Sequence, residues 1–111
     1  MKIDRTLLSG SSAMLVLRLL EEGDMYGYQI TEQMAVRSQN VFEMKSGTLY
    51  PLLHTLEQKG FVSAYERMEG GRERRYYSIT AAGKKQLEEK QEEWSSFSEA
   101  VNRVLGGASN A

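Results

Sequence analysis

The sequence has no cysteine, one proline, one histidine and one tryptophan. Without cysteine there are no disulfide bonds and no thiolate metal sites. The single histidine, the lack of a Gly-rich phosphate loop and the lack of a recognisable carboxylate pair leave no catalytic constellation to assemble. We therefore expect a protein that is not an enzyme and that uses no cofactor and no metal.

Long hydrophobic runs are also missing. No segment approaches the roughly 20 apolar residues that a membrane-spanning helix needs. The first residues, MKIDRTLLSGSS, turn polar before the apolar core of a signal peptide could form. We expect a cytoplasmic protein with no membrane partner, and a length of 111 residues suits one globular domain.

An excess of basic charge is absent as well, since the net charge is −1. This argues mildly against a nucleic acid partner, because such proteins usually carry a visible basic excess. Residues 1–80 contain ten basic and ten acidic side chains, and residues 81–111 contain four and five. Any phosphate binding must therefore come from a local basic patch.

Residues 46–60 form the segment around which the chain is organised. Four leucines share one stripe of helical period: Leu49, Leu52, Leu53 and Leu56. The other face carries hydrogen-bonding groups without full charge: Thr48, Tyr50, His54, Thr55 and Gln58. Such a front is suited to read base edges in a major groove. Ser46, Gly47 or Thr48 is expected to cap this helix, Pro51 to fix its start near the first turn, and Gly60 to end it.

Two helices are expected before this segment. Residues 7–22 predict one helix that is apolar around much of its circumference, and it either forms core alone or also meets a second subunit. Residues 25–37 predict a second helix, capped by Asp24, with Tyr26, Ile30 and Met34 facing inward. Gly27 in its first turn costs roughly 1 kcal/mol relative to alanine, and close helix packing is the expected reason.

A hairpin follows, with strands at residues 61–69 and 72–80 joined by Gly70-Gly71. Three helices and a hairpin predict a winged helix-turn-helix over residues 1–80. The tip places Arg72, Arg74 and Arg75 around Glu73, and this supplies a local basic patch. Strand alternation puts Arg75 on the side of the core residues.

Residues 81–111 predict a long C-terminal dimerisation helix, capped by Thr80, with a short frayed tail from Gly106. Its apolar residues recur at heptad-like spacing: Leu87, Trp94, Phe97, Val101 and Val104. This seam is expected to pack on a partner helix, and packing back on the first helix is the alternative. The fold class is thus mainly α with a small β-hairpin.

These elements predict how the protein would contact double-stranded DNA. The helix at residues 46–60 would enter the major groove, and the hairpin tip would lie along the backbone or minor groove. The expected DNA contacts are Lys45, Ser46, Thr48, Tyr50, His54, Arg72, Arg74, Arg75 and Tyr76. Because winged helices also dock proteins, a dimeric protein–protein adaptor without DNA binding stays open.

Four segments resemble the PadR-like transcriptional regulators: EEGDMYGYQI, KSGTLYPLLHTLEQKGFV, GGRERRYYSIT and the last helix with EEW and FSEAVNRVL. The resemblance covers residues 7–105 and is to the short-tailed branch. It implies a homodimeric, usually repressive regulator that binds a pseudo-palindromic operator and releases it when a small molecule binds. Ser46 stands where an acidic residue is common in the family.

The resemblance also implies an effector site. Short-tailed relatives include multidrug-sensing repressors in which a tryptophan of the last helix stacks on the drug in a flat hydrophobic pore. Trp94 stands at that position. With Leu7, Ser11, Met14 and Ser98 as neighbours it would suit a planar aromatic effector, and the alternative is that Trp94 is simply a core residue.

Overall fold

The computed structural model describes residues 3–106. It is mainly helical with a small antiparallel sheet, as the sequence predicts. In chain order the elements are α1 (Arg5–Ser9), α2 (Ser12–Glu22), β1 (Met25–Tyr26), α3 (Gly27–Arg37), α4 (Ser46–Gln58), β2 (Val62–Glu69), β3 (Arg72–Ile79) and α5 (Ala81–Val104). Within the described residues no helix has the length and apolar character to cross a membrane. No group of three metal-ligating side chains is found there either. The predicted tail lies outside the described range from residue 107 onward.

The predicted hairpin is confirmed as β2 and β3, with Val62 paired to Ile79 at one end and Glu69 to Arg72 at the other. Gly70 and Gly71 both have positive φ, at 59° and 81°. Consecutive positive φ angles at the two turn residues match the right-handed twist of a tight hairpin, and glycine adopts them without steric cost.

The sheet has a third strand that sequence periodicity did not predict. Met25 pairs with Tyr77 and Tyr26 with Tyr76, so β1 lies along the free edge of β3. The helix predicted from Met25 therefore begins only at Gly27. The side chain of Gln29 accepts a hydrogen bond from the Tyr26 backbone N–H at 3.1 Å, which satisfies one group at the start of α3.

The single helix predicted over residues 7–22 is wrong, because α1 ends at Ser9 and α2 begins at Ser12. Asp4 caps α1 by accepting from the Thr6 N–H at 2.9 Å. The break falls at Gly10 and Ser11. Glycine has a low helix propensity, and a serine hydroxyl competes for the backbone groups that would make helical hydrogen bonds. Only α2 contributes to the centre of the core.

The leucine stripe of α4 is confirmed, since Leu49 and Leu53 are fully buried and Leu56 is 3% exposed, while Leu52 lies at the margin. The stripe packs into a core to which α2, α3, β2, β3 and α5 also contribute. The other main core residues are Val16, Leu17, Leu19, Leu20, Ile30, Met34, Met44, Val62, Tyr77 and Leu87. Burying a leucine contributes about 1.5–3 kcal/mol, so this stripe fixes which side of α4 faces outward.

The start of α4 differs from the prediction. Lys45 is the N-cap residue and makes no side-chain cap, so the expected caps Ser46 and Thr48 lie inside the helix. Pro51 stands beyond the first turn, where its missing N–H leaves the Gly47 carbonyl without its helical hydrogen bond.

The last helix is held to the core only along its first half. The Thr80 hydroxyl accepts from the Gly83 N–H at 3.0 Å and donates to the Gly60 carbonyl at 2.6 Å, which confirms the predicted cap. Leu87 is 1% exposed and belongs to the same core as α2. Leu87 is therefore not available to a dimer seam, and its assignment to one is wrong.

We expect Gly83→Ala to lower the free energy of unfolding by about 1–3 kcal/mol, the usual cost of overpacking. A Cβ at Gly83 would collide with the Phe61 carbonyl and lie 2.8 Å from the Ile79 Cγ1. Urea denaturation checks this, with Gly47→Ala as the matched control because no atom lies within 4 Å of a Cβ there. Equal stability of the two variants would contradict the close docking of α5.

Candidate nucleic-acid interface

The outward face of α4 carries the side chains that the sequence predicted to read DNA. Lys45, Ser46, Thr48, Tyr50 and His54 are all exposed. Thr48, Tyr50 and His54 lie on sides of the helix that the leucine stripe leaves free, whereas Lys45 and Ser46 are exposed at the start of the helix. The face therefore offers hydroxyl, phenol and imidazole groups, with one full positive charge at its start.

The start of α4 is open to an anion. The Thr48 and Leu49 N–H groups both donate to the Lys45 carbonyl at 2.9 Å, while Ser46 and Gly47 have no intrahelical acceptor. The Lys45 side chain makes no capping hydrogen bond to these groups. The positive end of the helix dipole and the exposed Lys45 ammonium favour a phosphate at this position.

Tyr50 is packed across the start of α3. A Cβ placed on Gly27 would overlap the Tyr50 hydroxyl and lie 2.6 Å from its Cζ. The close packing expected at Gly27 is thus contact with a side chain of α4, and sequence spacing could not show this. Tyr50 nevertheless remains 47% exposed.

Two arginines of the hairpin have no carboxylate partner within residues 3–106. Arg72 is exposed next to the turn, and the Arg74 guanidinium lies 4.4 Å from the centre of the Tyr26 ring. Stacking on an aromatic face restrains a guanidinium without neutralising it. Arg72 is thus the exposed cation of this pair, while Arg74 is half-buried, with its Nε buried and without a hydrogen-bond partner among the described residues.

Arg75 is placed differently, and its assignment as a DNA contact needs correction. It forms salt bridges with Glu57 of α4 at 3.2 Å and with Glu66 of β2 at 3.3 Å. The hydrogen bond to Glu66 is the main reason why the pKa of Arg75 is raised. Its charge is compensated, and the side chain ties the hairpin to α4.

Tyr76 also needs correction, because it is 2% exposed rather than open to a phosphate. Its ring packs edge-on against Tyr26 and stacks on Tyr65, with the Arg67 guanidinium 4.1 Å from its centre. Its hydroxyl donates to Glu69 at 3.1 Å. Tyr76 therefore supports the outer face of the sheet and is not a DNA contact.

A groove of about 640 Å³ runs between α1, α2 and the middle of α5. It brings together four of the residues predicted for an effector: Leu7, Ser11, Met14 and Trp94. Phe97 lines it as well, with its ring centre 6.0 Å from that of Trp94. Ser98 does not line the groove, and its hydroxyl donates to the Ser95 carbonyl at 3.2 Å.

The second half of α5 exposes an unpartnered apolar stripe. Its exposed fractions are 49% for Trp94, 59% for Phe97, 37% for Val101 and 86% for Val104. These residues recur at three- and four-residue steps and so share one side of the helix. Trp94 and Phe97 connect this stripe to the groove.

Comparison with known proteins places these features in a family. The sequence model of the transcriptional regulator PadR-like family matches residues 16–89. A transcriptional regulator of Mycobacterium tuberculosis is 33% identical over 95 residues, which cover 86% of this chain and 83% of that protein. The negative transcriptional regulator PadR of Bacillus subtilis is 30% identical over 73 residues, which cover 65% of this chain and 40% of that protein.

A solved structure shows the same fold. The transcriptional regulator from Clostridium thermocellum superimposes with a TM-score of 0.85 at 33% sequence identity. The superposition covers 91% of this chain and 96% of that chain, so it includes α5 as well as the sheet.

The aromatic cluster of the sheet predicts a pH dependence of stability. The hydrogen bond to Asp24 raises the pKa of Tyr65, and burial raises the pKa of Tyr76. Both folded pKa values lie above the unfolded value of about 10, so the stabilisation is complete below that pH and is lost as pH rises through the folded pKa.

Tyr65→Phe should therefore flatten the fall in unfolding free energy above about pH 10, as measured by urea denaturation at several pH values. Tyr28→Phe is the control, because that ring is 65% exposed and should retain the wild-type curve. A Tyr65→Phe curve parallel to the wild type would show that the bond to Asp24 does not form in solution.

Proposed function

Because the chain belongs to the PadR-like family of transcriptional regulators, we propose that it binds double-stranded DNA sequence-specifically as a homodimer and represses transcription until a small molecule releases it. Family membership also confirms the expectation that the protein is a regulator rather than an enzyme. Repression is supported by the likeness to the negative transcriptional regulator of Bacillus subtilis.

One observation supports DNA binding best. Helix α4 exposes uncharged polar side chains, and Lys45, Arg72 and Arg74 have no carboxylate partner among the described residues. Four other arginines of the described chain, Arg18, Arg37, Arg67 and Arg75, pair with glutamates. A local phosphate-binding surface can therefore exist in a protein whose net charge is −1.

The roles divide between the two elements. Lys45, Arg72 and Arg74 would hold phosphates and so position the protein, while Thr48, Tyr50 and His54 would contact base edges. Ser46 would offer its backbone N–H at the start of α4. We propose that the two parts of the chain have different functions: residues 1–80 bind DNA, and the C-terminal helix with its tail, residues 81–111, forms the dimer.

The apolar stripe of α5 supports dimerisation. Trp94, Phe97, Val101 and Val104 extend past the core, and covering them needs a matching surface, which a second copy supplies with two-fold symmetry. A two-fold dimer presents two α4 helices to half-sites about one helical turn apart. The operator would then be a pseudo-palindrome.

The groove at Trp94 supports an effector. Trp94 and Phe97 belong both to its lining and to the exposed apolar stripe, so a partner subunit packed on the stripe would complete it around a planar aromatic molecule. The dimer would have two conformations that differ in the spacing of the two α4 helices. An effector that binds the conformation unsuited to DNA more tightly would favour it, and DNA affinity would fall by at most the ratio of the effector's affinities for the two conformations.

A protein–protein adaptor is the second candidate, and the near-neutral net charge is the observation that favours it. It predicts no salt-dependent shift with any duplex. A mobility-shift assay with duplexes selected from random-sequence DNA separates the two functions.

Removing a proposed phosphate contact should weaken binding to all sequences. We expect Arg72→Ala and Arg74→Ala each to reduce the slope of log affinity against log salt by about 1, because each variant releases one counterion fewer. Fluorescence anisotropy over a salt titration measures this. Arg75→Ala is the matched control and should keep the wild-type slope, since its charge is already paired.

Removing a proposed base contact should change sequence preference as well as affinity. We expect His54→Ala and Thr48→Ala each to cost about 1–3 kcal/mol on the preferred duplex and to relax preference at one base pair. Thr55→Ala is the control, because that hydroxyl already donates to the Pro51 carbonyl at 3.1 Å. A uniform loss on every sequence would reduce His54 and Thr48 to positioning residues.

Intrinsic fluorescence tests the effector site directly, since Trp94 is the only tryptophan. Stacking of a planar acridine dye should quench its emission in a saturable way and release bound DNA. A saturated, non-planar amine of similar size should do neither. If the dye released DNA and left the emission unchanged, the effector would bind elsewhere.

A further inference from the structure

The contact between Gly27 and Tyr50 links α3 to the face of α4 that would read DNA. We propose that Gly27 is a positioning residue for base recognition: it lets the Tyr50 hydroxyl rest against α3, so that Tyr50 presents its ring to the major groove and contacts a thymine methyl group. This inference rests on the proposed function and specifies one contact within it.

The geometry shows which end of Tyr50 lies against α3. The nearest Tyr50 atom to a Cβ on Gly27 would be the hydroxyl oxygen, followed by Cζ at 2.6 Å and Cε1 at 3.0 Å. The polar end of the side chain is thus the end that is packed. The residue is still 47% exposed, so we take the ring edge that faces away from Gly27 as the part left to meet a partner.

Glycine is needed at residue 27 for space rather than for backbone conformation. The glycines with positive φ among the described residues are Gly60, Gly70, Gly71 and Gly106, and Gly27 is not one of them. An alanine could therefore adopt the Gly27 backbone without strain. The side-chain position of Tyr50 is the feature that an alanine would disturb.

The chemistry of the major groove then selects the partner of an exposed ring. Base edges in that groove present hydrogen-bond donors and acceptors, and thymine alone adds an apolar group, its C5 methyl. Ring carbons make no strong hydrogen bond, so their favourable contact is with this methyl group.

The experiment uses duplexes selected from random-sequence DNA by the wild-type protein, each compared with a copy in which deoxyuridine replaces thymidine. Deoxyuridine keeps the base pair and lacks only the methyl group. We expect the wild type to prefer one thymine-containing position by about fivefold, the effect of a good apolar base contact. Tyr50→Phe should retain this preference, whereas Tyr50→Ala and Gly27→Ala should lose it.

A double-mutant cycle tests the role of Gly27. The double variant Gly27→Ala with Tyr50→Ala should bind no more weakly than Tyr50→Ala alone, because Gly27 acts only through the tyrosine. Thermal unfolding accompanies each variant, and the double variant should be more stable than Gly27→Ala because the obstructing ring is gone. Gly10→Ala is the matched control, since its Cβ would have no neighbour closer than 3.8 Å.

Three results would overturn the proposal. Loss of the thymine preference in Tyr50→Phe would show that the hydroxyl makes the contact. Additive losses in the double variant would show that Gly27 acts independently of Tyr50. A wild type that selects duplexes but ignores every methyl group would refute the ring contact alone, whereas a wild type that selects no duplex would refute DNA binding itself.

Discussion

Burial of the leucine stripe of α4 is the constraint on which the rest of the molecule depends. Leu49, Leu53 and Leu56 are almost fully removed from solvent, and each is worth about 1.5–3 kcal/mol of burial. Rotating α4 to present another face would expose this stripe, so the polar front is held outward by the core rather than by any contact of its own. The same burial brings Tyr50 to the first residue of α3.

Charge pairing then decides which parts of the surface can attract phosphate. The chain holds almost equal numbers of acidic and basic side chains, yet the glutamates are placed beside only some of the arginines. Arg75 is compensated from two elements at once, while Arg72 and Arg74 on the same strand are left without carboxylate partners in the described structure. A protein of net charge −1 can in this way carry a basic tip.

The last helix has two environments along one apolar seam. Leu87 lies in the core of its own chain, whereas Trp94 borders the groove beside α1 and α2 and remains 49% exposed, and Val101 is 37% exposed. Heptad spacing predicts an apolar stripe correctly but does not say what covers each part of it. The break between α1 and α2 leaves the groove beside Trp94 lined by both of these short helices.

Sequence periodicity by itself determined the features that depend on neighbours along the chain: the leucine stripe, the Gly70-Gly71 turn, the Thr80 cap and the apolar seam. Each follows from a repeat of 3.6 or two residues, or from the conformational freedom of single residues. Only the tertiary structure decided the pairing of β1 with β3, the burial of Tyr76, the salt bridges of Arg75 and the packing of Tyr50 against Gly27. Those contacts join residues distant in sequence, so they depend on how the elements pack in three dimensions, which no local pattern encodes.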